Sequence, residues 1–302
     1  MSEHPSIGLV GLGLMGGGIA KRLLEAGYPL TVLPGPRGTN IDAMKQAGAT
    51  VVRFPAELTA SCTVVLTCLP SSREVEAIAG GETGIMATAA RDLLHIDLTS
   101  GNPTSTLALA SDYRSRGIHL IDAAMAGMPE QAAKGEITLM VGAGPDILRR
   151  AQPILEAFSK KIVRTGDVGT GQRTKLIMSF IGMAIANATA EALLVARATA
   201  IDLEALRELV SGTGMNSSTF QSMALAAIDG DVSRRKLTIA SAHKDVDYFV
   251  GMVDDAGLST ALAPATLKAL ERAVAEGYAD NYVPALTHIL CKLNGLKPET
   301  LV

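Results

Sequence analysis

Residues 7–28 read IGLVGLGLMGGGIAKRLLEAGY, and this stretch decides the fold. A short apolar run is followed by closely spaced glycines and then by apolar residues at helical spacing, with Gly27 as a stop signal. Glycines in this spacing, after a strand and at the start of a helix, are typical of a dinucleotide-binding turn. Gly11 permits the tight turn, Gly13 lets the backbone approach a pyrophosphate, and Gly16 lets helix and strand pack closely. The stretch therefore predicts a helix N-terminus that faces phosphate groups.

Strand and helix patterns alternate through the first half of the chain. Further apolar runs are strand candidates at 29–33, 63–69, 93–99, 119–123 and 137–143. Helical patterns lie at 72–79, 103–117 and 147–159. Such alternation is typical of crossover units and a mostly parallel sheet. We therefore predict an α/β, Rossmann-type, doubly wound domain over residues 1–165.

The second half contains helical patterns only. One long helix is predicted from about Gln172 to Ala198, and further helical patterns follow at 202–212, 217–228, 241–256, 262–276 and 282–293. Residues 166–302 are thus predicted to form an all-α substrate and oligomerisation domain that starts with a long interdomain helix. A helix that is apolar on all sides has to be buried, either within its domain or against a second copy. We expect a homodimer or homotetramer that assembles through this half.

Composition and charge narrow the classes of function. The chain has 302 residues, which suggests about two domains, and 48% of them are hydrophobic. Its net charge of −3 leaves no basic excess to neutralise phosphates, so we expect no nucleic-acid partner. Cys62, Cys68 and Cys291 form neither a CxxC pair nor a metal-ligand spacing, so we expect no metal site and a reducing compartment.

Localisation is inferred from the segments that the sequence lacks. The N-terminal residues MSEHPSIGLVGLG show neither the basic region nor the long apolar region of a signal peptide. Polar residues interrupt the long apolar helix, at Asn187, Thr189, Glu191 and Arg197, so we expect no membrane span. Cytoplasmic residence is the expectation that remains.

The end of the second predicted strand bears on the choice of cofactor. NAD-binding domains usually place an Asp or Glu there for the ribose hydroxyls, whereas NADP-binding domains place an Arg near the added phosphate. This chain reads TVLPGPRGTN at 31–40, with Arg37 in the loop and no acid before Asp42. We therefore predict NADP as the preferred cofactor, with NAD as the alternative if Arg37 is only a solvated loop charge.

Several segments together resemble the β-hydroxyacid dehydrogenase family, which includes 3-hydroxyisobutyrate dehydrogenase, tartronate semialdehyde reductase and relatives of 6-phosphogluconate dehydrogenase. The resemblance covers essentially the whole length and is carried first by residues 7–28. VVLTCLPSSREVEAI (64–78) is similar to the family's middle strand and loop, and HIDLTSGNPTS (95–105) to its D-x-S-T segment. The resemblance implies that cofactor contacts come from Gly11, Gly13, Leu14, Met15, Gly16, Arg37, Leu69, Pro70, Ser100 and Lys244, with Ser100 near the nicotinamide.

The resemblance also implies a catalytic lysine. GTGQRTKLIMS (169–179) resembles the segment G-x-G-x-x-x-K-x-x-N-N, which places that lysine at Lys175. SAHKDVDY (241–248) resembles the family's downstream Lys-Asp pair, here Lys244 and Asp245. Ser179 lies four residues after Lys175 and therefore shares its helical face, where it would steady the lysine or the substrate oxygen.

Lys175 suits proton transfer on physical grounds as well. In the first turn of the predicted helix it feels the positive end of the helix dipole, and partial burial would lower its pKa further. Both effects favour a general base for oxidation and a general acid for reduction near neutral pH. The alternative is a lysine that lays its stem over the core and places its ammonium group in water.

Two departures from the family pattern concern the substrate. The family's loop commonly reads D-A-P-V-S-G-G, whereas residues 122–128 read DAAMAGM, so Ala126 stands where a serine would bind a carboxylate. Ser179 replaces the family's asparagine. The implied substrate-binding set is Ser100, Ala126, Gly127, Met128, Lys175 and Ser179. The changes suggest a substrate that is larger, less polar or held by other groups.

Three functions remain open from the sequence. The leading hypothesis is an NAD(P)-dependent oxidoreductase that transfers a hydride between nicotinamide and a 3-hydroxyacid or its semialdehyde. The second is a reductase of another carbonyl or of an imine, because the anion-binding loop is altered. The third is a non-catalytic NADP-binding sensor, which the retained lysine disfavours.

Overall fold

The N-terminal part of the chain is built on one sheet, in a computed structural model that describes residues 4–35 and 41–296. Its strands are β1 (Ile7–Val10), β2 (Leu30–Leu33), β3 (Thr50–Val51), β4 (Val64–Thr67), β5 (Leu94–Asp97), β6 (His119–Ala126), β7 (Ile137–Gly142) and β8 (Ser159–Gly166). Their order across the sheet is β3-β2-β1-β4-β5-β6-β7-β8. Only the β6–β7 pair is antiparallel among these strands.

Helices connect the parallel strands and cover the sheet. They are α1 (Leu14–Glu25), α2 (Ile41–Gln46), α3 (Pro55–Ser61), α4 (Ser72–Ala79), α5 (Ile85–Thr88), α6 (Pro103–Ser115), α7 (Pro129–Lys134) and α8 (Pro145–Glu156). Every residue of β1, β4 and β5 is buried, as expected of strands that have helices on both faces. The predicted Rossmann-type fold is confirmed. The strands are added outward from β1 in one direction up to β3 and in the other direction from β4 onward. Open α/β sheets bind ligands at such a switch point, outside the carboxyl ends of their strands.

Two features of the sheet differ from the prediction. The strand predicted at 119–123 extends to Ala126, into the predicted substrate loop, and Ala126 pairs with Thr138 of β7. Strand β8 was not predicted at all. It is the edge strand, most of its residues are partly or fully exposed, and its charged residues hide the apolar pattern of a buried strand.

The C-terminal part is helical throughout its described residues, as predicted. Its helices are α9 (Thr170–Ala198), α10 (Leu203–Ser211), α11 (Ser218–Asp229), α12 (Ile239–Asp255), α13 (Leu262–Ala275) and α14 (Leu286–Leu293), with 3-10 turns at Val232–Arg234 and Val283–Ala285. Its core is formed by small and aliphatic side chains such as Ala186, Ala190, Met223 and Leu270. Contacts divide the chain into the units Met1–Lys175 and Leu176–Val302. The predicted boundary between residues 165 and 166 stays a prediction.

Helix α9 begins at Thr170, two residues earlier than predicted. Lys175 therefore lies in the second helical turn, and the expected position in the first turn is wrong. By length and composition alone, α9 is long and apolar enough to cross a membrane. Of its apolar 18-residue stretch, 33% is buried within the chain. Core helices of soluble proteins share that length and composition.

Candidate cofactor and catalytic site

The turn between β1 and α1 has the shape that the glycine spacing predicts. Gly11 has a φ of +97°, and a Cβ there would stand 2.3 Å from the carbonyl oxygen of Cys68. A Cβ on Gly16 would stand 2.0 Å from the carbonyl oxygen of Gly11. A Cβ on Gly13, in contrast, would meet no atom within 4 Å. Backbone packing thus requires glycine at two of these positions, while at Gly13 the glycine leaves open space.

This open space lies at the N-terminus of α1. Gly13 is the N-cap residue, it offers no side-chain cap, and the first turn of α1 holds no acidic residue. The N–H groups of the first turn lack intrahelical acceptors and carry the positive end of the helix dipole. Leu14, at the start of the helix, is 74% exposed. These features fit the pyrophosphate of a dinucleotide, which the backbone amides after Gly13 would hold.

The carboxyl ends of β4 and β5 are joined by a side-chain hydrogen bond. The backbone N–H of Leu69 donates to the Thr99 hydroxyl at 3.1 Å. Leu69 also borders the glycine turn, because its Cδ2 lies 3.1 Å from the position of a Gly11 Cβ. Pro70 is exposed and Ser100 partly buried. The structure thus brings Gly11 and Leu69 together and places Ser100 at the carboxyl edge of the same sheet.

Beneath this edge lies a buried polar network. The Thr67 hydroxyl donates to Asp97 at 2.7 Å and lies 2.9 Å from Nε2 of His95, whose Nδ1 is 3.1 Å from the Tyr113 hydroxyl. Burial lowers the pKa of His95 to about 3, so this histidine is neutral at physiological pH. Burial likewise raises the pKa of Asp97, partly offset by hydrogen bonds from Thr67, Thr99 and Gln172. The network therefore fixes the ends of β4 and β5.

The start of α9 is held by Asp122 of β6. Its two carboxyl oxygens accept backbone N–H groups from Gly169 at 2.6 Å and from Gln172 at 2.8 Å. Burial raises the pKa of Asp122 to about 6, and the two backbone donors partly offset this rise. Asp122 thus satisfies two of the N–H groups that a helix N-terminus leaves without intrahelical partners.

Gln172 connects the same helix start to two further elements. Its Oε1 accepts from the Thr106 hydroxyl at 2.5 Å, and its Nε2 donates to Asp97 at 3.2 Å. The residue is completely buried. Because Gln172 precedes Lys175 by three residues, these bonds fix the backbone from which the partly exposed Lys175 projects. The sequence reasoning missed Gln172, although a glutamine one turn before the lysine, on the same helical face, was a visible signal.

Ser179 takes part in a second cluster, within the C-terminal unit. Its hydroxyl lies 2.9 Å from Oδ2 of Asp245, which is 6% exposed. Lys244 donates to Oδ1 of the same carboxylate at 2.8 Å and stands 5.0 Å from the centre of the Tyr248 ring. Ser179 is the donor in this bond, so its oxygen keeps acceptor capacity.

The predicted substrate residues Ala126, Gly127 and Met128 lie at the end of β6 and in the turn that follows it. Ala126 is partly buried, whereas Gly127 is exposed, with a φ of +152°. The N–H of Met128 is engaged by Oε1 of Gln131 at 2.8 Å and begins α7. Arg37, the residue that favours NADP, lies outside the described residues.

Two family profiles match consecutive parts of the chain. A family profile described as the NAD binding domain of 6-phosphogluconate dehydrogenase matches residues 6–166. A second, described as the NAD-binding of NADP-dependent 3-hydroxyisobutyrate dehydrogenase, matches residues 169–290. The chain belongs to the β-hydroxyacid dehydrogenase family. It is an NAD(P)-dependent hydroxyacid dehydrogenase or reductase, and this membership supports the leading hypothesis over the other carbonyl or imine reductase and over the sensor.

Individual relatives are similar to this dehydrogenase over most of its length. The 3-sulfolactaldehyde reductase of Escherichia coli strain K12 is 28% identical over 90% of this chain and 91% of its own. The L-threonate dehydrogenase of Cupriavidus necator is 31% identical over 83% of this chain and 82% of its own. The structure of Mycobacterium tuberculosis 3-hydroxyisobutyrate dehydrogenase with L-serine superposes with a TM-score of 0.85, at 25% identity, and covers 95% of this chain and 99% of that one.

Proposed function

We propose that this dehydrogenase interconverts a 3-hydroxyacid and its semialdehyde, with Lys175 as the proton-transfer group. When bound, the nicotinamide cofactor accepts or supplies the hydride. Lys175 removes the hydroxyl proton during oxidation and returns it during reduction. The observation that carries this assignment is the fixed backbone below Lys175, where Asp122 and Gln172 hold the first turn of α9.

Ser179 is proposed to assist the lysine. Since its proton is directed at the Asp245 carboxylate, its oxygen is free to accept from the Lys175 ammonium or from the substrate hydroxyl. An acceptor at this point positions the reacting oxygen beside the proton-transfer group. Ser100 and the backbone N–H of Gly127 are proposed to bind the substrate, beside Ala126 and Met128, and Lys244 to contact the cofactor.

Cofactor preference, assembly and localisation are also proposed. NADP is the preferred cofactor, on the ground that Arg37 follows the second strand where an acidic residue would favour NAD. A homodimer or homotetramer forms through the helical half, in line with the limited burial of α9 within one chain. The enzyme works in the cytoplasm on a small-molecule substrate.

The decisive experiment compares Lys175→Ala with the unmodified enzyme on a panel of hydroxyacids and semialdehydes, followed by NADPH absorbance with both cofactors. We expect kcat to fall by roughly 10²- to 10⁴-fold, which is the usual contribution of a positioned general acid or base. NADPH binding, measured by fluorescence titration, should persist. Lys268→Ala, which removes an exposed helical lysine, is the matched control. Undiminished turnover in Lys175→Ala would refute the proposed role.

A further inference from the structure

Arg235 lies against the helical face that carries the proposed catalytic residues. Lys175, Ser179 and Gly182 follow one another at spacings of four and three residues, which places them on one face of α9. The guanidinium Nη2 of Arg235 is 3.2 Å from the position that a Cβ on Gly182 would occupy. A side chain at position 182 would therefore crowd this arginine, and glycine lets it approach the helix.

The charge of Arg235 lacks a carboxylate partner among the residues that the structure describes. Its hydrogen bond goes from Nη1 to the neutral hydroxyl of Thr219 at 2.6 Å. The neighbouring Arg234, by comparison, donates from both terminal nitrogens to Asp229 at 2.6 Å. Arg235 is partly buried, and this burial alone lowers its pKa. A partly desolvated guanidinium with most of its five N–H donors uncommitted is well suited to a planar anion.

We propose that Arg235 binds a carboxylate of the substrate, remote from the carbon that exchanges the hydride. The inference rests on the proposed hydride and proton transfer, and it extends the substrate class from 3-hydroxyacids to longer ω-hydroxyacids and their semialdehydes. Lys175 and Gly182 are seven residues apart, about 10 Å along a helix. A substrate that reaches both carries its carboxylate several bonds from the reacting carbon. Such an anion site would also replace the hydroxyl that Ala126 does not provide.

The test compares Arg235→Gln with the unmodified enzyme on ω-carboxyl aldehydes of three to six carbons and on uncharged aldehydes of the same lengths. We expect the unmodified enzyme to favour the longer carboxylated chains. In Arg235→Gln, kcat/KM for these should fall by roughly 10- to 100-fold, as expected when a hydrogen-bonded charge is lost. The loss should appear mainly in KM, because the contact is made equally before and during hydride transfer. Uncharged aldehydes should be unaffected.

Two further variants serve as controls for this test. Arg234→Gln removes a charge one residue away that is already neutralised by Asp229, and it should leave kcat/KM unchanged on every substrate. Arg235→Lys keeps the charge and most of the stem but loses the two-pronged geometry, so an intermediate loss is expected even if Arg235→Gln unfolds. Equal losses on charged and uncharged aldehydes, or no loss on either, would overturn the assignment of Arg235.

A binding measurement separates this inference from the proposed function. Adipate, a dicarboxylate that undergoes no turnover, should raise the melting temperature of the NADP-loaded enzyme but not that of Arg235→Gln. If the enzyme reduces no carbonyl yet adipate stabilises it through Arg235, the proposed reaction is wrong and the anion site stands. If Lys175-dependent turnover is found but adipate has no effect on the unmodified enzyme, the anion site is wrong and the reaction stands.

Discussion

The three motif glycines after β1 serve different purposes. Gly11 and Gly16 are required by the fold, since a Cβ on either would overlap a backbone carbonyl oxygen. Gly13 has open space around its missing side chain, and its φ of −68° is accessible to any residue. The spacing of the motif was visible in the sequence. The distinction between fold and ligand was not, because it depends on which atoms surround each position.

Alanine substitutions separate these two roles. Gly13→Ala should keep the free energy of unfolding and weaken NADP(H) binding by at least about tenfold, since the methyl group enters the space assigned to the pyrophosphate. Gly16→Ala should lower the free energy of unfolding by roughly 1–3 kcal/mol, because it forces the turn apart. Urea denaturation and NADPH fluorescence titration measure the two quantities. Unchanged cofactor affinity in Gly13→Ala would argue against the cofactor position.

At the scale of elements, α9 shows what local sequence predicts and what it does not. Its apolar length was predicted to within two residues at its start and to the residue at its end. Its attachment to the sheet was missed, because Asp122 lies 47 positions before Gly169 and 50 before Gln172. An aspartate inside the apolar run HLIDAAM was the visible signal. Pairing over such a distance is set by the sheet order, which no local pattern encodes.

Asp122→Asn tests this attachment through its pH dependence. The pKa of Asp122 rises from 3.8 to about 6 on folding, so the folded state binds this proton more tightly than the unfolded state. The resulting stabilisation is complete below about pH 4 and is lost as pH rises through about 6. The free energy of unfolding of the wild type minus that of Asp122→Asn should therefore decrease by about 2.5 kcal/mol between pH 4 and pH 7. Asp146→Asn, at an exposed position, is the control variant. A flat profile for Asp122→Asn would contradict the buried position.

At the scale of the whole molecule, composition and periodicity predicted an α/β part followed by a helical part. The strand order explains why Gly11, Leu69 and Ser100, which are proposed to contact the cofactor, share one sheet edge. The clusters around Ser179 and Arg235 were beyond prediction, because they join α9 to residues more than 50 positions away. What periodicity did indicate was an excess of apolar surface on α9. Ile177 and Ile181 are 45% and 53% exposed, one turn apart, on the side roughly opposite Lys175.

This apolar face yields a prediction about assembly. Neighbouring exposed isoleucines on a long apolar helix are suited to a self-complementary contact between two copies of the chain. The double variant Ile177→Asp, Ile181→Asp buries two unpaired charges in such a contact, and the assembly should dissociate into monomers. Sedimentation velocity measures the mass. Leu258→Asp, in the loop after α12 with a somewhat more exposed side chain, is the control that should retain the oligomer. A wild-type monomer, or an unchanged mass in the double variant, would exclude this face as the interface. Because Ile177 and Ile181 lie opposite Lys175, the dissociated enzyme should keep its cofactor affinity if the proposed site is complete within one chain.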